Sequence, residues 1–453
     1  MQTGQLAQPV PQIANRLRDN TDLQELVSEG KAHISRRVYV DPEIFELEQE
    51  RLFRKTWMFL AHESELPGKG DYVTRNLAGE PVVVVRGDDG VVRAFLNSCR
   101  HRGMRLCRAD NGHMSTIRCP YHGWTYSKTG KLLSVFAPDL YDAAHLRKEA
   151  LGLISVARLE SYKGLVFGSW NEQVPKLEDY LGNMRFYLDL FVGRTDGGTE
   201  VVGIPQVWEV STNWKFPTDN FTGDNFHLYS THGSAVQLGL LPPDPMSLSF
   251  GHLIRAEGGH VLHVVPGPPD PAFEYFGLPR ELIPHLQRNL SPAQLALARR
   301  YAFSVGTVFP NLSFMQVLIQ GDRESPPSPF LSFRFWEPIG PTKTRVWSYL
   351  FIDKEASPEY RQASYETYVR TFGPSGIYEQ DDLENWEECT RVNMGKVAQR
   401  YGLHHGMGAH LDPDKSFPGP GDAWAGSYGE RTQLAFYGEW QRWLTQPQPW
   451  VRQ

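Results

Sequence analysis

Cysteine is scarce in this sequence, since only 4 of its 453 residues are Cys. Four thiols in a chain of this length do not form a disulfide framework, so we expect a reducing compartment, the cytoplasm. Long apolar runs are also missing, because no stretch approaches the roughly 18 residues that a membrane span needs. The first 20 residues lack the apolar centre and the cleavage site of an export signal. These absences argue against a membrane protein or an exported protein.

Runs of positive charge are missing as well. The formal net charge is -6 and the pI is about 6.2, so a surface for nucleic acid or for an anionic membrane is not expected. The sequence also contains no internal repeat and no low-complexity tract. Because 40% of the residues are hydrophobic and 22% are charged, the chain is globular and not disordered. Its length predicts about two or three domains.

Local patterns divide the chain into a β-rich part and a mixed part. An N-terminal helix is indicated by Asp41-Pro42 and by the apolar residues that follow up to Trp57. Short apolar runs separated by turns such as Asp88-Asp89-Gly90 predict a small all-β domain. Helical spacing mixed with strands predicts a larger α+β domain. We assign residues 56–175 to the first domain, and residues 1–55 and 176–453 to the second. Within the second domain, we expect helices between Ser357 and Gly373, at 378–399 and at 431–444.

Two of the four cysteines are paired with histidines. One loop reads Cys99-Arg100-His101 and another reads Cys119-Pro120-Tyr121-His122, so each offers one thiolate and one imidazole. Structural zinc usually takes two Cys from one loop and two His from the other. A Rieske [2Fe–2S] centre takes two Cys on one iron and two His on the other. The mixed loops favour a Rieske cluster, with zinc as the alternative, and leave Cys107 and Cys389 as buried or free thiols.

A second metal site is indicated, because a cluster that carries single electrons needs an acceptor. His227 and His232 lie five residues apart, and Asp224 precedes His227 by one helical turn, where a carboxylate can hold the imidazole. Two imidazoles and one carboxylate form the facial triad of non-haem Fe(II) enzymes. Since a spacing of five does not place both histidines on one helical face, we expect the helix to end or distort between them. Spacing alone does not choose between Asp381 and Asp382 as the carboxylate.

Taken together, these motifs resemble those of one family, the large (alpha) subunits of Rieske non-haem iron aromatic ring-hydroxylating dioxygenases. Respiratory-type Rieske proteins carry an additional Cys in each loop, whereas this sequence has Met104 and Tyr121 at those places. Thr218-Asp219 stands where Ala-Glu is more common in the family. The strings that carry the resemblance are Cys99-x-His101, Cys119-x-x-His122, Asn213-Trp214-Lys215 followed by His227 and His232, and Phe372 to Asp382.

The resemblance implies a [2Fe–2S] Rieske cluster and one mononuclear Fe(II). It assigns the cluster to Cys99, His101, Cys119 and His122, and the iron to His227, His232 and Asp382. Asp224 is implied as the carboxylate that links His227 to His122 of a neighbouring subunit, so that Asp224→Asn would keep both metals and transfer electrons poorly. The implied substrate-binding residues are Asn220, Phe221, Leu228, Phe372 and Tyr378.

The resemblance also implies the fold of the larger domain and the activity. The fold is a helix-grip-like antiparallel sheet with helices. The activity is that of a terminal oxygenase, which uses O2 and electrons from NAD(P)H via ferredoxin or a reductase to cis-dihydroxylate an apolar aromatic hydrocarbon or an aryl acid. The assembly is α3β3 with a small beta subunit, or an α3 trimer. A Rieske monooxygenase or demethylase is the alternative, whereas a pure electron-transfer Rieske protein would leave more than half of the chain unexplained.

Overall fold

The computed structural model describes residues 14–142 and 145–450. An all-β part lies between residues 58 and 169, and one large antiparallel sheet with helices makes up most of the rest. This arrangement confirms the predicted fold class, a small all-β region beside a larger α+β region. Within the described ranges, no helix combines the length and the hydropathy that crossing a bilayer requires.

Three small sheets form the all-β part. The predicted hairpin is present, and Val85 pairs with Arg93 across it. Its turn contains Gly90 with φ +82°, a left-handed conformation that glycine adopts without steric cost. In spatial order, the strands are Val92–Leu96, Glu80–Arg86, Asp71–Leu77 and Asn111–His113 in the first sheet, Arg158–Tyr162, Leu165–Ser169 and Met58–His62 in the second, and Leu132–Ser134, Thr125–Tyr126 and Ile117–Arg118 in the third.

A nine-stranded antiparallel sheet forms the centre of the larger part. Eight of its strands follow one another in the order Thr199–Val201, Lys343–Asp353, Ser328–Gly340, Leu312–Ile319, Tyr301–Val308, Val261–Pro266, His252–Arg255 and Asp422–Ala425, and Gln206–Val210 also pairs with Lys343–Asp353. A separate small sheet joins the N-terminal region to a late segment through Val27–Ser28, His33–Ile34 and Leu403–His404.

Helices cover the sheet and carry the chain between its strands. The helix Pro358–Phe372 starts as predicted, because Ser357 caps it by accepting the N–H of Tyr360. The last helix, Arg431–Thr445, also confirms its prediction. The other α-helices are Pro42–Leu47, Leu177–Leu181, Met184–Val192, Lys215–Asn220, Leu228–Thr231, Gly233–Gln237, Ile283–Asn289, Pro292–Arg300 and Ile377–Asn393.

Two predicted helices differ from the observed ones. The N-terminal helix is α-helical only over Pro42–Leu47 and continues as wider π turns over Glu48–Phe53. The helix predicted at 378–399 ends at Asn393. Gly395 follows shortly, and glycine is unfavourable inside a helix because it loses the most backbone freedom there.

The molecule contains a large and a small hydrophobic core. A large core is continuous through the sheet, the helices and one side of the all-β part. A smaller core lies within the all-β part and contains Cys99 and Cys119 together with Trp124 and Tyr126. The two predicted metal sites therefore lie in different packing environments.

Candidate active site

The two Cys and His loops have the same local geometry. The N–H of Gly103 donates to the carbonyl of Cys99 at 2.9 Å, and the N–H of Gly123 donates to that of Cys119 at 3.1 Å. Both glycines have left-handed φ angles, +72° and +69°, which side chains disfavour. Each loop therefore turns tightly and presents a buried thiol, while its neighbouring imidazole stays only partly buried.

The loops bring like ligands together. Burial and the nearby Cys119 raise the pKa of the Cys99 thiol. The His101 and His122 rings lie 4.7 Å apart between centroids, and the buried His101 Nδ1 has no hydrogen-bond partner in the part of the chain that the structure describes. Paired sulfurs and paired imidazoles suit a two-iron cluster with two Cys on one iron and two His on the other.

A single zinc ion fits these four residues poorly. In a metal-binding group, the ligand atoms of three or more His, Cys, Asp or Glu residues lie close together. Among the described residues, such atoms lie within 4.8 Å of one another in the group His227, His232 and Asp382. The four residues of the two loops do not converge in this way, whereas a tetrahedral zinc site requires all its ligands around one point. The zinc alternative is therefore disfavoured by the geometry.

The predicted break between the two histidines is present. A tight turn covers Asn225–His227, a short helix covers Leu228–Thr231, and the chain leaves helical geometry at His232 with ψ 35°. Because of this break, both imidazoles turn toward the same point. The prediction that the helix ends or distorts there is confirmed.

Asp382 completes the second group. Its Oδ1 lies 3.4 Å from His227 Nε2 and 3.5 Å from His232 Nε2. His232 and Asp382 are buried, and His227 is partly buried. Two imidazoles and one carboxylate at these separations match the donor set and the spacing of a facial triad.

Asp381, the other candidate carboxylate, faces a different atom. Its Oδ2 lies 3.2 Å from His232 Nδ1, on the opposite side of that ring from Asp382. An imidazole that donates one N–H to a carboxylate is fixed in tautomer and orientation. The sequence did not indicate this role, because it depends on how the helix is rotated.

Asp224 lies beside the same group. Its Oδ2 is 3.6 Å from His227 Nδ1, and its Oδ1 is buried and has no hydrogen-bond partner among the described residues. Burial raises the pKa of Asp224 to about 7. The preceding Gly223 has φ +124° and lacks room for a Cβ, which would lie 2.7 Å from Leu253. The backbone therefore holds one free carboxylate oxygen next to the triad.

Two adjoining cavities open beside the triad. The inner one, of about 50 Å³, is lined by the triad and by Asn220 and Phe221. The outer one, of about 310 Å³, is lined mainly by apolar side chains and by Tyr378. Leu228 and Phe372 line both, so all five predicted substrate-binding residues border this space. Strand residues that the sequence did not single out complete the inner wall, namely Phe303, Val305 and Met315.

A polar cleft of about 330 Å³ reaches the triad from another side. His227 and Asp382 line it together with three further carboxylates, Asp219, Asp224 and Glu430. The arginines around the Cys and His loops have the opposite charge and are exposed, namely Arg100, Arg102, Arg105, Arg108 and Arg118. The molecule therefore carries an acidic cleft at one predicted metal site and a basic rim at the other.

Two protein families match the chain. The Rieske [2Fe-2S] domain matches residues 56–144, and the catalytic domain of the ring hydroxylating alpha subunit matches residues 177–446. The second match spans more than half of the sequence. The chain belongs to the ring-hydroxylating alpha subunits. As a member of this family, the alpha subunit is an oxidoreductase whose cofactors are a Rieske [2Fe–2S] cluster and mononuclear iron.

Individual relatives agree with this assignment. The alpha subunit is 34% identical to the biphenyl 2,3-dioxygenase subunit alpha of Rhodococcus jostii (strain RHA1), over 94% of this chain and 92% of the relative. It resembles the crystal structure of naphthalene 1,2-dioxygenase from Rhodococcus sp. bound to indole, with a TM-score of 0.91, 43% identity, and 93% and 97% of the two chains covered. The N,N-dimethyl phenylurea N-demethylase subunit alpha of Sphingobium sp. (strain YBL2) is 30% identical over 93% of this chain and 94% of the relative.

Proposed function

We propose that this alpha subunit is the terminal oxygenase that cis-dihydroxylates an apolar aromatic ring with O2 and electrons from NAD(P)H, delivered through ferredoxin. The observation that carries the proposal is the triad of His227, His232 and Asp382 at the inner end of an apolar cavity. The dioxygenase relatives, named for biphenyl and naphthalene, support an aromatic substrate. Both oxygen atoms are added to one face of the ring.

We place the cluster on Cys99, His101, Cys119 and His122, and the mononuclear iron on His227, His232 and Asp382. When bound, the cluster supplies single electrons and the iron supplies the activation of O2. The chain holds the ligands in orientation through Asp224 beside His227 and Asp381 beside His232. The Asp381 carboxylate accepts from Nδ1 of His232, and the backbone carbonyl of Asp224 accepts from Nδ1 of His227, so that Nε2 of each imidazole is left to face the iron.

The size and the apolar lining of the two cavities indicate the kind of substrate. An aromatic hydrocarbon offers no hydrogen bonds, so an apolar wall binds it and excludes water. Phe221 and Leu228 contact the ring that reacts, and Phe372 and Tyr378, which stack 5.3 Å apart between centroids, form a flat wall beside it. The outer cavity has room for a further ring or an apolar substituent.

We propose an α3 core in which the cluster of one subunit serves the iron of the next, with a small beta subunit added in an α3β3 assembly. The acidic cleft that reaches His227 and the basic rim around the cluster loops have opposite charges, which favours their contact in a ring of head-to-tail subunits. The unpartnered Asp224 Oδ1 then accepts a hydrogen bond from His122 of the neighbouring subunit.

The second candidate is oxidative demethylation or monooxygenation of an aromatic substrate. The specific observation in its favour is the relative named as an N-demethylase, which is similar over nearly the whole chain. Ligand geometry does not separate the two reactions, because both use the same two metal motifs.

Product analysis tests the proposal. The purified oxygenase, supplied with ferredoxin, reductase and NADH, is incubated with isotope-labelled O2 and a panel of mono- and polycyclic hydrocarbons and N-methylated phenylureas. The proposal expects a cis-dihydrodiol that carries two labelled oxygen atoms. A product with one labelled atom, or formaldehyde release from the phenylureas without any diol, would establish the second candidate instead. An Asp382→Asn variant controls for uncatalysed oxidation and should give neither product.

A further inference from the structure

A buried arginine lies directly behind the helix that carries Asp382. Arg334 belongs to the strand Ser328–Gly340, and its side chain is 1% exposed. Its Nη1 lies 2.5 Å from Oε2 of Glu379, a residue with 0% exposure in the helix Ile377–Asn393. Glu379 precedes Asp382 by three residues, so the two carboxylates occupy neighbouring positions on the same side of the helix. The strand is thus tied to the helix one turn before the carboxylate of the triad.

The same guanidinium also fixes the segment before the helix. Its Nη2 donates to the carbonyl of Phe372 at 2.8 Å. Its carbon lies 5.4 to 5.8 Å from the ring centroids of Trp208, Phe221, Trp336 and Phe372, which is within the range of cation–π contacts. One side chain therefore contacts both the start of the ligand-bearing helix and two residues of the cavity wall.

We infer that Arg334 and Glu379 are positioning residues, which set the rotation of the ligand-bearing helix and the place of the aromatic wall. Through Glu379, the pair directs Asp382 toward His227 and His232. Through the carbonyl of Phe372, it holds the ring that borders both cavities. The inference rests on the proposed function, because it takes the triad as the iron site. Neither side chain of the pair lines the inner or the outer cavity.

The effect of Arg334 and Glu379 on the position of the helix can be measured separately from their effect on the stability of the fold. An ion pair in a low-dielectric interior adds little stability over an apolar pair of similar size, whereas the loss of one partner leaves an uncompensated charge. Its place, however, is constrained from two sides, because Nη2 of the same guanidinium donates to the carbonyl of Phe372 while the two opposite charges, 2.5 Å apart, attract each other. Removal of both charges should therefore recover much of the lost stability and leave the helix without this anchor.

The test compares Arg334→Met, Glu379→Gln and the double variant with the unchanged chain. Each protein is depleted of mononuclear iron and titrated with Fe(II) alone against a chelator, and its thermal midpoint and the ratio of its oxygenation products are recorded. We expect both single variants to melt several degrees lower. We expect the double variant to melt higher than either single variant, because it leaves no uncompensated charge, yet to bind Fe(II) about 10- to 100-fold more weakly and to give a changed product ratio.

A second buried pair serves as the matched control. Arg194 and Asp353 are 1% and 0% exposed and lie 2.7 Å apart, but neither lines the inner cavity. The double variant Arg194→Met with Asp353→Asn should keep the Fe(II) affinity and the product ratio of the unchanged chain. The inference is overturned if the Arg334 and Glu379 double variant recovers Fe(II) affinity together with stability, or if the control double variant loses as much affinity. If the unchanged chain binds no Fe(II) at the triad, the proposed iron site itself is wrong.

Discussion

The hydroxyl of Tyr126 lies beside Cys99, one of the proposed cluster ligands. It lies 3.4 Å from Sγ of Cys99 and accepts the N–H of Arg100 at 3.1 Å, which directs its own hydrogen toward the sulfur. A hydrogen bond to a cluster ligand stabilises the reduced state, because it lowers the negative charge on sulfur. Tyr126→Phe should therefore lower the reduction potential by roughly 60 mV, a tenfold change in a one-electron equilibrium. Voltammetry measures this shift, and Tyr162→Phe, whose hydroxyl bonds to Asp189 instead, should leave the potential unchanged.

The two adjacent aspartates should have separable effects on iron. Asp382 contacts both histidines on their inner nitrogens, whereas Asp381 contacts only His232 on its outer one. Asp382→Asn should abolish stable Fe(II) binding, while Asp381→Asn should weaken it by about 10- to 100-fold. Metal analysis after dialysis at graded chelator concentrations distinguishes the two. Equal losses in both variants would contradict this division of roles.

At the scale of residues, the sequence indicated the candidate ligands that lie close together along the chain. The Cys and His loops and the pair His227 and His232 are short strings, so their spacing reveals their chemistry without any tertiary information. Which of Asp381 and Asp382 faces both histidines depends on the rotation of their helix about its axis, which residue spacing does not specify. The sequence did not indicate Arg334, because this residue lies 45 positions before Glu379, in a strand that no local pattern links to the helix.

At the scale of elements, one buried carboxylate joins three segments. Glu48, in the π turns after the N-terminal helix, lies 2.5 Å from Nζ of Lys215 and accepts the indole N–H groups of Trp214 and Trp440 at 3.0 and 2.7 Å. It thereby links these turns to the helix Lys215–Asn220, which precedes the segment with His227 and His232, and to the last helix. The sequence did not indicate this role of Glu48, since it placed the residue only within an N-terminal helix. The partners of Glu48 lie 166 residues or more away along the chain.

Lys215→Met should test how much this link stabilises the fold. The substitution leaves Glu48 buried without its cation, which costs about 3 to 5 kcal/mol. The exposed pair of Lys343 and Glu209 provides the comparison, because Lys343→Met should cost under about 1 kcal/mol. Urea unfolding followed by far-UV circular dichroism gives both values. A Lys215→Met midpoint close to that of Lys343→Met would show that the two indole donors suffice for Glu48.

Helices were easier to predict than the large sheet. The helix Pro358–Phe372 carries its own cap in Ser357 and ends before Gly373, so both ends are marked in the sequence. The nine-stranded sheet instead brings Asp422–Ala425 beside His252–Arg255, a pairing that no local pattern specifies. The inner cavity wall formed by Phe303, Val305 and Met315 was missed for the same reason, because strand order decides which side chains face the triad.

At the scale of the whole molecule, the proposed function has two metal sites that cooperate across a subunit boundary. Asp224→Asn probes the link between them. The amide keeps the shape of the carboxylate but loses its charge, so both metals should remain bound while electron transfer slows by about 10- to 100-fold. Single-turnover stopped-flow of the reduced enzyme measures the transfer. Asp219→Asn is the control in the same cleft, because Asp219 accepts from Tyr437 at 2.9 Å and should slow the transfer far less than Asp224→Asn.

Mixed assemblies would show directly whether the cooperating metals belong to different subunits. Cys119→Ser chains should lack the cluster, and Asp382→Asn chains should lack the iron. In the proposed trimer, co-expression of the two would place some cluster-bearing subunits beside iron-bearing neighbours. In a head-to-tail ring with random mixing, about one interface in four pairs an intact cluster with an intact iron, so about a quarter of the normal activity should appear. Each variant alone should be inactive. If electrons instead passed within one chain, the mixture would be as inactive as its components, since every chain lacks one of the two metals.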